Sequence, residues 1–468
     1  MPSRAGRVAA AATAAGLGGL TAYDLLQRRH AILRNFPVVG HLRFLLEAVG
    51  PELRQYIVTD NDQERPFSRD QRRWVYASSK RENNYFGFGS DDDMELRSAM
   101  AVALPGDVLL LAPGDYPLQR TLYAERPGEA GRPVRVLAER PGSVRIRVAT
   151  TVGFELRAPY WWFEGLDIAG VCADHGDCEH AFHIVGDARH TVLRNNRLHE
   201  FNAPVKINGS ERDGRLQTPD DGRIDGNSLY NSGVRLTGNP VTLIDAVAVN
   251  GWTVRANLIA DFVKGGGDNI SYGAFFKGAG SGNVFERNLV ICEMNLHPPY
   301  GARVGLSFGG GGTGAPYCRD GRCAAEHFDG RIRNNLILHC NDVGVYLNRA
   351  ARTEVAHNTL YATLGMDARF PDTDAVFTNN LLDGRIKARD GGRWSGDGNL
   401  RLEAAGFAAR FFAPQDADFR LRDGSGIVAA GVPLPQVPDD LCGHVRARLP
   451  DIGAIEYGLD ACDPAGRP

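Results

Sequence analysis

The chain has 468 residues, of which 53 are Lys or Arg and 56 are Asp or Glu, giving a net charge of −3. This balance argues against a dedicated nucleic-acid binder, which carries a basic surplus, so no nucleic-acid partner is expected. Gly contributes 56 residues, about 12% against the ~7% that is usual, which predicts a folded chain with many turns.

The first predicted segment is apolar and comprises residues 1–23. Arg4 and Arg7 precede an Ala- and Gly-rich run from Val8 to Tyr23. Sixteen residues are fewer than the ~20 that span a membrane, and no small-x-small cleavage site closes the run. The sequence leaves three interpretations open: a signal peptide, a membrane anchor that tethers the protein, or an ordinary Ala-rich helix.

Residues 24–90 form a leader with helical periodicity, because Leu, Ile and Phe recur at spacings of three and four. The motifs RNFPVVGHLR, RQYI, RPFSRDQRRWVY and NNYFGFG make the first 90 residues similar to the N-terminal leader of FMN-binding, glutamate-synthase-like proteins. In that family a flavin-binding TIM barrel follows the leader. This chain continues differently, so no FMN is expected.

The pattern changes at residue 91, where short apolar runs of strand type begin and are punctuated by Gly and Pro. Seven segments then share an Asn followed by apolar residues. The aligned asparagines are Asn196, Asn227, Asn257, Asn288, Asn335, Asn358 and Asn380.

The spacing of these asparagines predicts a solenoid. The separations are 31, 30, 31, 47, 23 and 22 residues. The last two match one coil of a β-helix, the values near 30 fit one coil with an insertion, and 47 fits two coils. A propeller needs longer periods, and a leucine-rich horseshoe needs a Leu ladder that is missing here.

The predicted fold class is therefore all-β. Residues 91–458 are expected to form a single-stranded right-handed parallel β-helix, with a helical extension before it and a tail at 459–468 after it. Stacking buries the inward side chains that one coil cannot bury alone. Asn suits the bends because it tolerates the left-handed conformation and because its amide bonds to the next coil.

The repeat and the closing segments DFRLRDGSGIVAAG and PDIGAIEYG resemble the pectate-lyase-like superfamily. GDVLLLAPGDY is similar to the opening of polysaccharide lyase family 6, which contains alginate lyases and chondroitinase B. This resemblance implies a lyase that cleaves an acidic, uronate-containing polysaccharide by β-elimination. The protein is expected to act as a monomer.

The resemblance also implies a catalytic pair. In polysaccharide lyase family 6 a Lys is the base and an Arg one coil away is the acid. FFKGAGSGNVFERN is similar to the family's lysine coil, which makes Lys277 the base. Arg303 follows 26 residues later, near one coil, but a segment LSFGGGG stands where the family has its arginine.

Insertions between coils are expected to wall the substrate cleft: INGSERDGRLQTPDDGRIDGN, LTGNPVTLIDAVAVNG and residues 292–330. The last insertion supplies the candidate substrate contacts, which are His297, Tyr300, Tyr317, Arg319 and His327. Many family members hold Ca²⁺ at the substrate carboxylate. The candidate ligands are Glu286 and Glu293, with Asp245 and Asp268 as further carboxylates, and no spacing singles them out.

The eight cysteines predict disulfides and an extracytoplasmic location, whether periplasmic, secreted or membrane-anchored. Three close pairs stand out, with two cysteines left over. These are Cys172 with Cys178, Cys318 with Cys323, and Cys442 with Cys462, beside Cys292 and Cys340.

Two other functions stay open on the sequence. A non-catalytic envelope or surface β-helix that binds glycan or is structural needs no catalytic residues. A polysaccharide hydrolase needs paired carboxylates, for which Asp220 and Asp221 are the nearest candidates.

Overall fold

The computed structural model describes residues 16, 18–27, 31–41 and 92–457. The chain divides into two compact units, Met1–Asn83 and Asn84–Pro468. Most of the predicted leader, part of the predicted apolar segment and the predicted tail lie outside the described residues.

The described part of the first unit is helical, as its periodicity predicts. Residues 18–26 and Ala31–Asn35 are helices, and the first of them runs across the predicted boundary between residues 23 and 24. The fully buried Asp24 carboxylate accepts from the Val38 amide at 2.9 Å and lies 2.9 Å from His41 Nε2. Within the described ranges, no helix is both long and apolar enough to span a bilayer.

The second unit begins with the helix Asp92–Val102 and continues as coils of three strands, each strand pairing in parallel with its counterparts in the coils above and below. We name the three resulting sheets A, B and C in the order in which a coil visits them. Sheet A contains Val108–Leu111, Val134–Ala138, Trp161–Glu164, Val192–Arg194, Arg223–Asp225, Thr253–Arg255, Val284–Glu286, Arg331–Arg333, Thr353–Ala356, Asp374–Thr378 and Arg393–Ser395. Sheet B contains Gly114–Leu118, Val144–Val148, Leu166–Gly170, Arg197–His199, Ser228–Tyr230, Leu258–Ala260, Leu289–Ile291, Leu336–Cys340, Thr359–Thr363, Leu381–Leu382 and Leu400–Arg401. Sheet C contains Leu122–Ala124, Val152–Leu156, His180–Val185, Val205–Asn208, Val241–Val247, Ile270–Lys277, Ala302–Phe308, Val345–Asn348, Gly365–Arg369 and Arg385–Arg389.

The smaller elements lie in turns and insertions. They are the strands Ser210–Arg212, Arg215–Gln217, Gly280–Ser281, His327–Phe328, Ala350–Ala351, Phe411–Ala413 and Asp418–Leu421, the helix Ala404–Arg410, and the 3₁₀ turns His175–Asp177, Ala315–Tyr317 and Pro414–Asp416. The predicted parallel β-helix is confirmed.

The core lies inside the coils because alternate side chains of each strand point inward. In sheet C the inward positions of two successive coils are Ala274, Phe276, Leu306 and Phe308, all fully buried. The rings of Phe276 and Phe308 both pack on Phe285, with centroid distances of 5.0 and 5.5 Å. This packing fixes which sheet C residues face outward.

The predicted asparagines form a buried ladder in the turn between sheets A and B. Asn288 Nδ2 donates to the Val254 carbonyl and to Asn335 Oδ1, both at 2.9 Å, and Asn257 Nδ2 donates to Asn288 Oδ1 at 3.0 Å. One of the two predicted reasons is wrong: the left-handed residue precedes the ladder residue, as at Arg287 with φ 56°. The ladder position therefore requires Asn for the hydrogen bonds that its side-chain amide makes.

The separation of 47 residues is one coil, not two. Phe285 pairs with Ile332 in sheet A, and Asn288 bonds directly to Asn335. The extra residues belong to the insertion at 292–330. The segment LTGNPVTLIDAVAVNG is likewise not a pure insertion, because it contains the sheet C strand Val241–Val247.

The last coil strand is Leu400–Arg401, so the coils end before the predicted limit at residue 458. Residues 404–457 instead pack on the outside of sheet B. Their buried Phe407, Phe411 and Phe419 cover the outward-facing Leu289 and Leu336. Sheet B is thereby closed to a polymer along these coils.

The predicted disulfides Cys172–Cys178 and Cys318–Cys323 are present, and the two remaining cysteines, Cys292 and Cys340, join neighbouring coils. Cys442 is also disulfide-bonded, and its predicted partner Cys462 lies outside the described residues. These bonds fit an oxidising, extracytoplasmic compartment.

Candidate active site

Sheet C carries a continuous row of outward-facing side chains, one from each coil after the first, which we call the outer row. Their backbones pair in register from coil to coil. The outer row is Glu155, His183, Lys206, Asp245, Phe275, Ser307, Tyr346, Asp367 and Lys387. Successive members are about 4.8 Å apart along the β-helix axis.

Lys277 lies on the same face, two residues beyond Phe275 at the end of its strand. Its ammonium group stands 4.5 Å from the centroid of the Phe275 ring and donates to the Gly312 carbonyl at 3.3 Å. The side chain is half-buried. A lysine held against an aromatic ring beside an open face is a candidate base.

The surroundings lower the pKa of Lys277 below its ordinary value of 10.5. Burial is the largest cause and the Lys206 charge acts in the same direction, while Asp245 and Glu326 oppose them. A lower pKa increases the fraction of neutral amine that is able to accept a proton near neutral pH.

A glycine loop at residues 309–312 closes one side of the site. Gly309 has φ +98°, and a Cβ there would lie 1.9 Å from the Asn348 carbonyl oxygen. A Cβ at Gly310 would lie 3.0 Å from the Phe275 ring. The Gly run therefore allows the backbone to pass directly over Phe275 and to reach the Lys277 ammonium.

The buried Glu326 fixes this loop to the Lys277 strand. Its carboxylate accepts from the Gly278 amide at 3.1 Å and from the Thr313 amide at 2.7 Å. The disulfide-closed tip of the 292–330 insertion packs on Ala279. The insertion thus contacts the end of the Lys277 strand, as a cleft wall does.

A second wall comes from the predicted insertion after Asn208. Ser210–Arg212 and Arg215–Gln217 form an antiparallel hairpin. A cavity of about 620 Å³ lies between this hairpin and the outer row, and its lining includes Glu155, Arg157 and Asp187. Sheet C therefore borders a cavity on its outer face.

Arg303 does not lie beside Lys277, so the predicted catalytic pair is not assembled. Arg303 pairs in register with Ser271, six residues before Lys277 and about 20 Å away along the strand. Its side chain is 1% exposed, forms an ion pair with Glu293 and donates to the Tyr300 carbonyl at 2.7 Å. The neighbour of the Lys277 strand end is Gly309, whose amide donates to the Phe276 carbonyl.

His327 is a core residue, not a substrate contact. It is fully buried and stacks on Phe308 with a centroid distance of 4.1 Å. Asn283 Nδ2 lies 2.9 Å from its Nε2, so this nitrogen accepts the bond when the ring is neutral. Burial lowers the pKa of His327 from 6.5 to about 3.

This burial predicts acid sensitivity. The folded protein keeps His327 neutral, whereas the unfolded chain takes up a proton below pH 6.5. The free energy of unfolding should therefore be fully maintained above pH 6.5 and fall by about 1.4 kcal/mol per pH unit from this residue as the pH decreases toward 3. In urea titrations from pH 7 to 4, His327→Gln should flatten the slope, whereas the exposed control His297→Gln should not. Equal slopes in both variants would contradict the assignment.

The other predicted contacts are dispersed. The Tyr317 ring is 73% exposed, and its carbonyl lies beside Gly278. Arg319 is a structural clamp, because its guanidinium binds both Asp220 carboxylate oxygens at 2.8 and 2.9 Å. Tyr300 is exposed beside Arg303, and His297 lines a separate cavity of about 510 Å³ on the sheet B side. Of this set, Tyr317 and Arg319 have backbone atoms beside Gly278, the residue after Lys277.

The predicted calcium ligands do not make a calcium site. Glu286 lies on sheet A and binds Arg333 at 2.8 Å, while Glu293 binds Arg303 in the turn after sheet B. Asp268 binds Lys264 at 2.7 Å, and Asp245 binds Lys206 at 2.9 Å. Ca²⁺ needs six to eight oxygen ligands converging on one point, which these separated and cation-paired carboxylates do not offer.

Two residues that the sequence interpretation missed belong to this site. Lys206 stands in the outer row beside Asp245. Tyr272 packs edge-to-face on Phe275 with a centroid distance of 5.5 Å, opposite the contact with Lys277. Burial raises the pKa of Tyr272, so its phenol stays protonated.

The coils and the Asn ladder make the chain a parallel β-helix. Among solved structures, pectate lyase Pel9A aligns with a TM-score of 0.53 and 16% identity, over 79% of this chain and 94% of that one. At this identity the likeness shows the fold.

Three curated relatives match parts of the sequence, and two of them are pectate lyases L. Pectate lyase L of Dickeya chrysanthemi is 28% identical over 173 residues, which cover 30% of this chain and 40% of the relative. The glutamate synthase large subunit-like protein YerD of Bacillus subtilis is 43% identical over 82 residues, 16% of each chain. The chain thus spans less than half the length of these relatives, and no family model matches it.

Proposed function

We propose that this protein is a carbohydrate-active β-helix protein that cleaves an acidic, uronate-containing polysaccharide by β-elimination, with Lys277 as the base. The observation that carries the proposal is the placement of Lys277 at the end of an outward-facing strand, half-buried against Phe275, with a lowered pKa. The partial match to a pectate lyase supports the substrate class.

The neutral Lys277 amine removes the C5 proton of the uronate. The electron pair released at C5 forms the C4–C5 double bond, and the bond from C4 to the bridging oxygen breaks. A positive charge near the C6 carboxylate makes the C5 proton more acidic, because it stabilises the charge that develops on the carboxylate in the transition state.

The leaving oxygen takes a proton from Tyr272. Its phenol is held protonated by burial and lies on the other side of Phe275 from the base. Base and acid therefore lie on either side of one buried aromatic ring, that of Phe275. The Arg that acts as the acid in polysaccharide lyase family 6 has no counterpart in this arrangement.

The polymer lies along the part of the outer row from Glu155 to Phe275, between the hairpin at 210–217 and the 292–330 insertion, and does not extend to Lys387. The disulfides support an extracytoplasmic site of action, where such polymers are found.

A substrate panel tests this proposal. The purified full chain is incubated with alginate, chondroitin, dermatan, polygalacturonate and rhamnogalacturonan, and the ultraviolet absorbance of unsaturated uronate is followed. Absorbance should rise with at least one polymer. A flat trace with every polymer, from protein shown to be folded, would count against a lyase.

The pH dependence of the reaction should report the base. Because protonated Lys277 is unable to accept the C5 proton, kcat/KM should fall as the pH decreases through the pKa of this residue. The lowered pKa places the midpoint below 10.5. A pH–rate profile measured with the polymer that reacts checks this. A rate that increases toward acid pH would contradict the assignment.

A further inference from the structure

The charges of the outer row near Lys277 are unusual for a site that handles an anionic polymer with a metal ion. Lys206 and Asp245 occupy successive coils, and the Lys206 ammonium lies 2.9 Å from Asp245 Oδ1. The one outer-row carboxylate near Lys277 is thus already paired with an ammonium group, that of Lys206. A carboxylate neutralised in this way is a poor ligand for a divalent cation, whereas the ammonium group beside it attracts a substrate carboxylate.

No second carboxylate of the outer row is near enough to complete a cation site with Asp245. Glu155 is three coils away, about 14 Å, and Asp367 is four coils away, about 19 Å. Burial lowers the pKa of His183, which lies between Glu155 and Lys206, although its hydrogen bond to Asn208 Oδ1 opposes this shift.

We propose that Lys206 takes the place of a metal ion at this site: its ammonium group, oriented by Asp245, binds the C6 carboxylate of the uronate that Lys277 deprotonates. This inference rests on the proposed function and goes beyond it, because it names the carboxylate subsite and makes the protein independent of calcium.

The exposures of the pair suit these roles. The Asp245 side chain is 9% exposed and the Lys206 side chain is 22% exposed, so the carboxylate is covered while the lysine is partly open to solvent. An ammonium with three donors is able to keep its bond to Asp245 and still donate to a substrate carboxylate. Asp245 is thus a positioning residue, and Lys206 is the residue that contacts substrate.

Calorimetry tests the inference without relying on turnover. Titration of the full chain with CaCl₂ should show no saturable binding at Asp245. The Asp245→Asn variant should therefore give the same titration as the wild type. An oligogalacturonate or an oligoalginate should bind in the presence of EDTA, and Lys206→Met should weaken this binding at least 10-fold. The matched control Lys387→Met changes an exposed lysine of the same row, six coils from Lys206, and should bind as the wild type does.

Activity assays separate the two proposals. The inference predicts equal rates in EDTA and in CaCl₂, and a decrease in kcat/KM of about 100-fold in Lys206→Met. Turnover that requires Ca²⁺, or Ca²⁺ binding that Asp245→Asn abolishes, overturns the inference but leaves the lyase proposal standing. Absence of uronate binding under every condition also overturns it. Absence of unsaturated product in both buffers, with uronate binding retained, overturns the lyase proposal alone.

Discussion

Lys277→Met should lower kcat/KM on the reactive polymer by about 1000-fold, within the range by which a positioned general base accelerates proton transfer. Methionine is an unbranched side chain of similar length that packs on Phe275 without a titratable group. Initial rates from the absorbance of unsaturated product, at matched protein concentration, measure the effect.

Lys387→Met is the control, because Lys387 faces outward on the same sheet four coils from Phe275 and is exposed. This variant should keep the wild-type rate, and both variants should unfold at the same urea concentration as the wild type. Retention of activity in Lys277→Met would remove Lys277 from the mechanism.

Asn288→Ala should destabilise the β-helix by about 4 kcal/mol, because it removes several buried hydrogen bonds at once. The substitution leaves the Val254 carbonyl and Asn335 Oδ1 without the Asn288 amide, and the Asn257 amide groups without the Asn288 oxygen. Urea unfolding of the full chain at pH 7 measures the loss.

The end of the ladder supplies the matched control. Asn399 receives two bonds from Asn380 and donates to the Phe377 carbonyl, and it is half-buried. Asn399→Ala should therefore cost about half as much, or less. Equal losses at both positions would show that the ladder does not act through burial of its amides.

The fold was predictable because its strongest sequence signal is local. The Asn of each coil sits in a turn of constant length between sheets A and B, so the motif keeps its register with the strands beside it. The separation of 47 residues between Asn288 and Asn335 was misinterpreted as two coils. The insertion between them is about as long as a coil, so it lengthens the separation without adding strands to the three sheets.

The catalytic pair was not predictable from spacing. Arg303 follows Lys277 by 26 residues, close to one coil, but part of that separation is the turn after sheet B, so Arg303 falls at the other end of the next strand. The burial of the Arg303 side chain then depends on the residues that surround it. Glu293 and the Tyr300 carbonyl enclose the guanidinium, and neither contact has a signature in sequence.

Lys206 was missed for a related reason. The turns between sheets B and C differ in length, being residues 200–204, 231–240 and 261–269 in three successive coils. Lys206 therefore follows its asparagine by 10 residues, whereas Asp245 and Phe275 each follow theirs by 18, although the three are adjacent in the outer row. Only the strand register shows that Lys206 pairs with Asp245, the carboxylate that the sequence analysis considered as a calcium ligand.

The central claim is that the outer row of sheet C performs an elimination, and mass spectrometry of the cleavage products tests it most directly. Oligosaccharides released from the reactive polymer by the full chain should be lighter by one water than hydrolysis products and carry an unsaturated uronate at the new non-reducing end. Products that have gained a water, or a polymer that binds and is never cleaved, would contradict the claim.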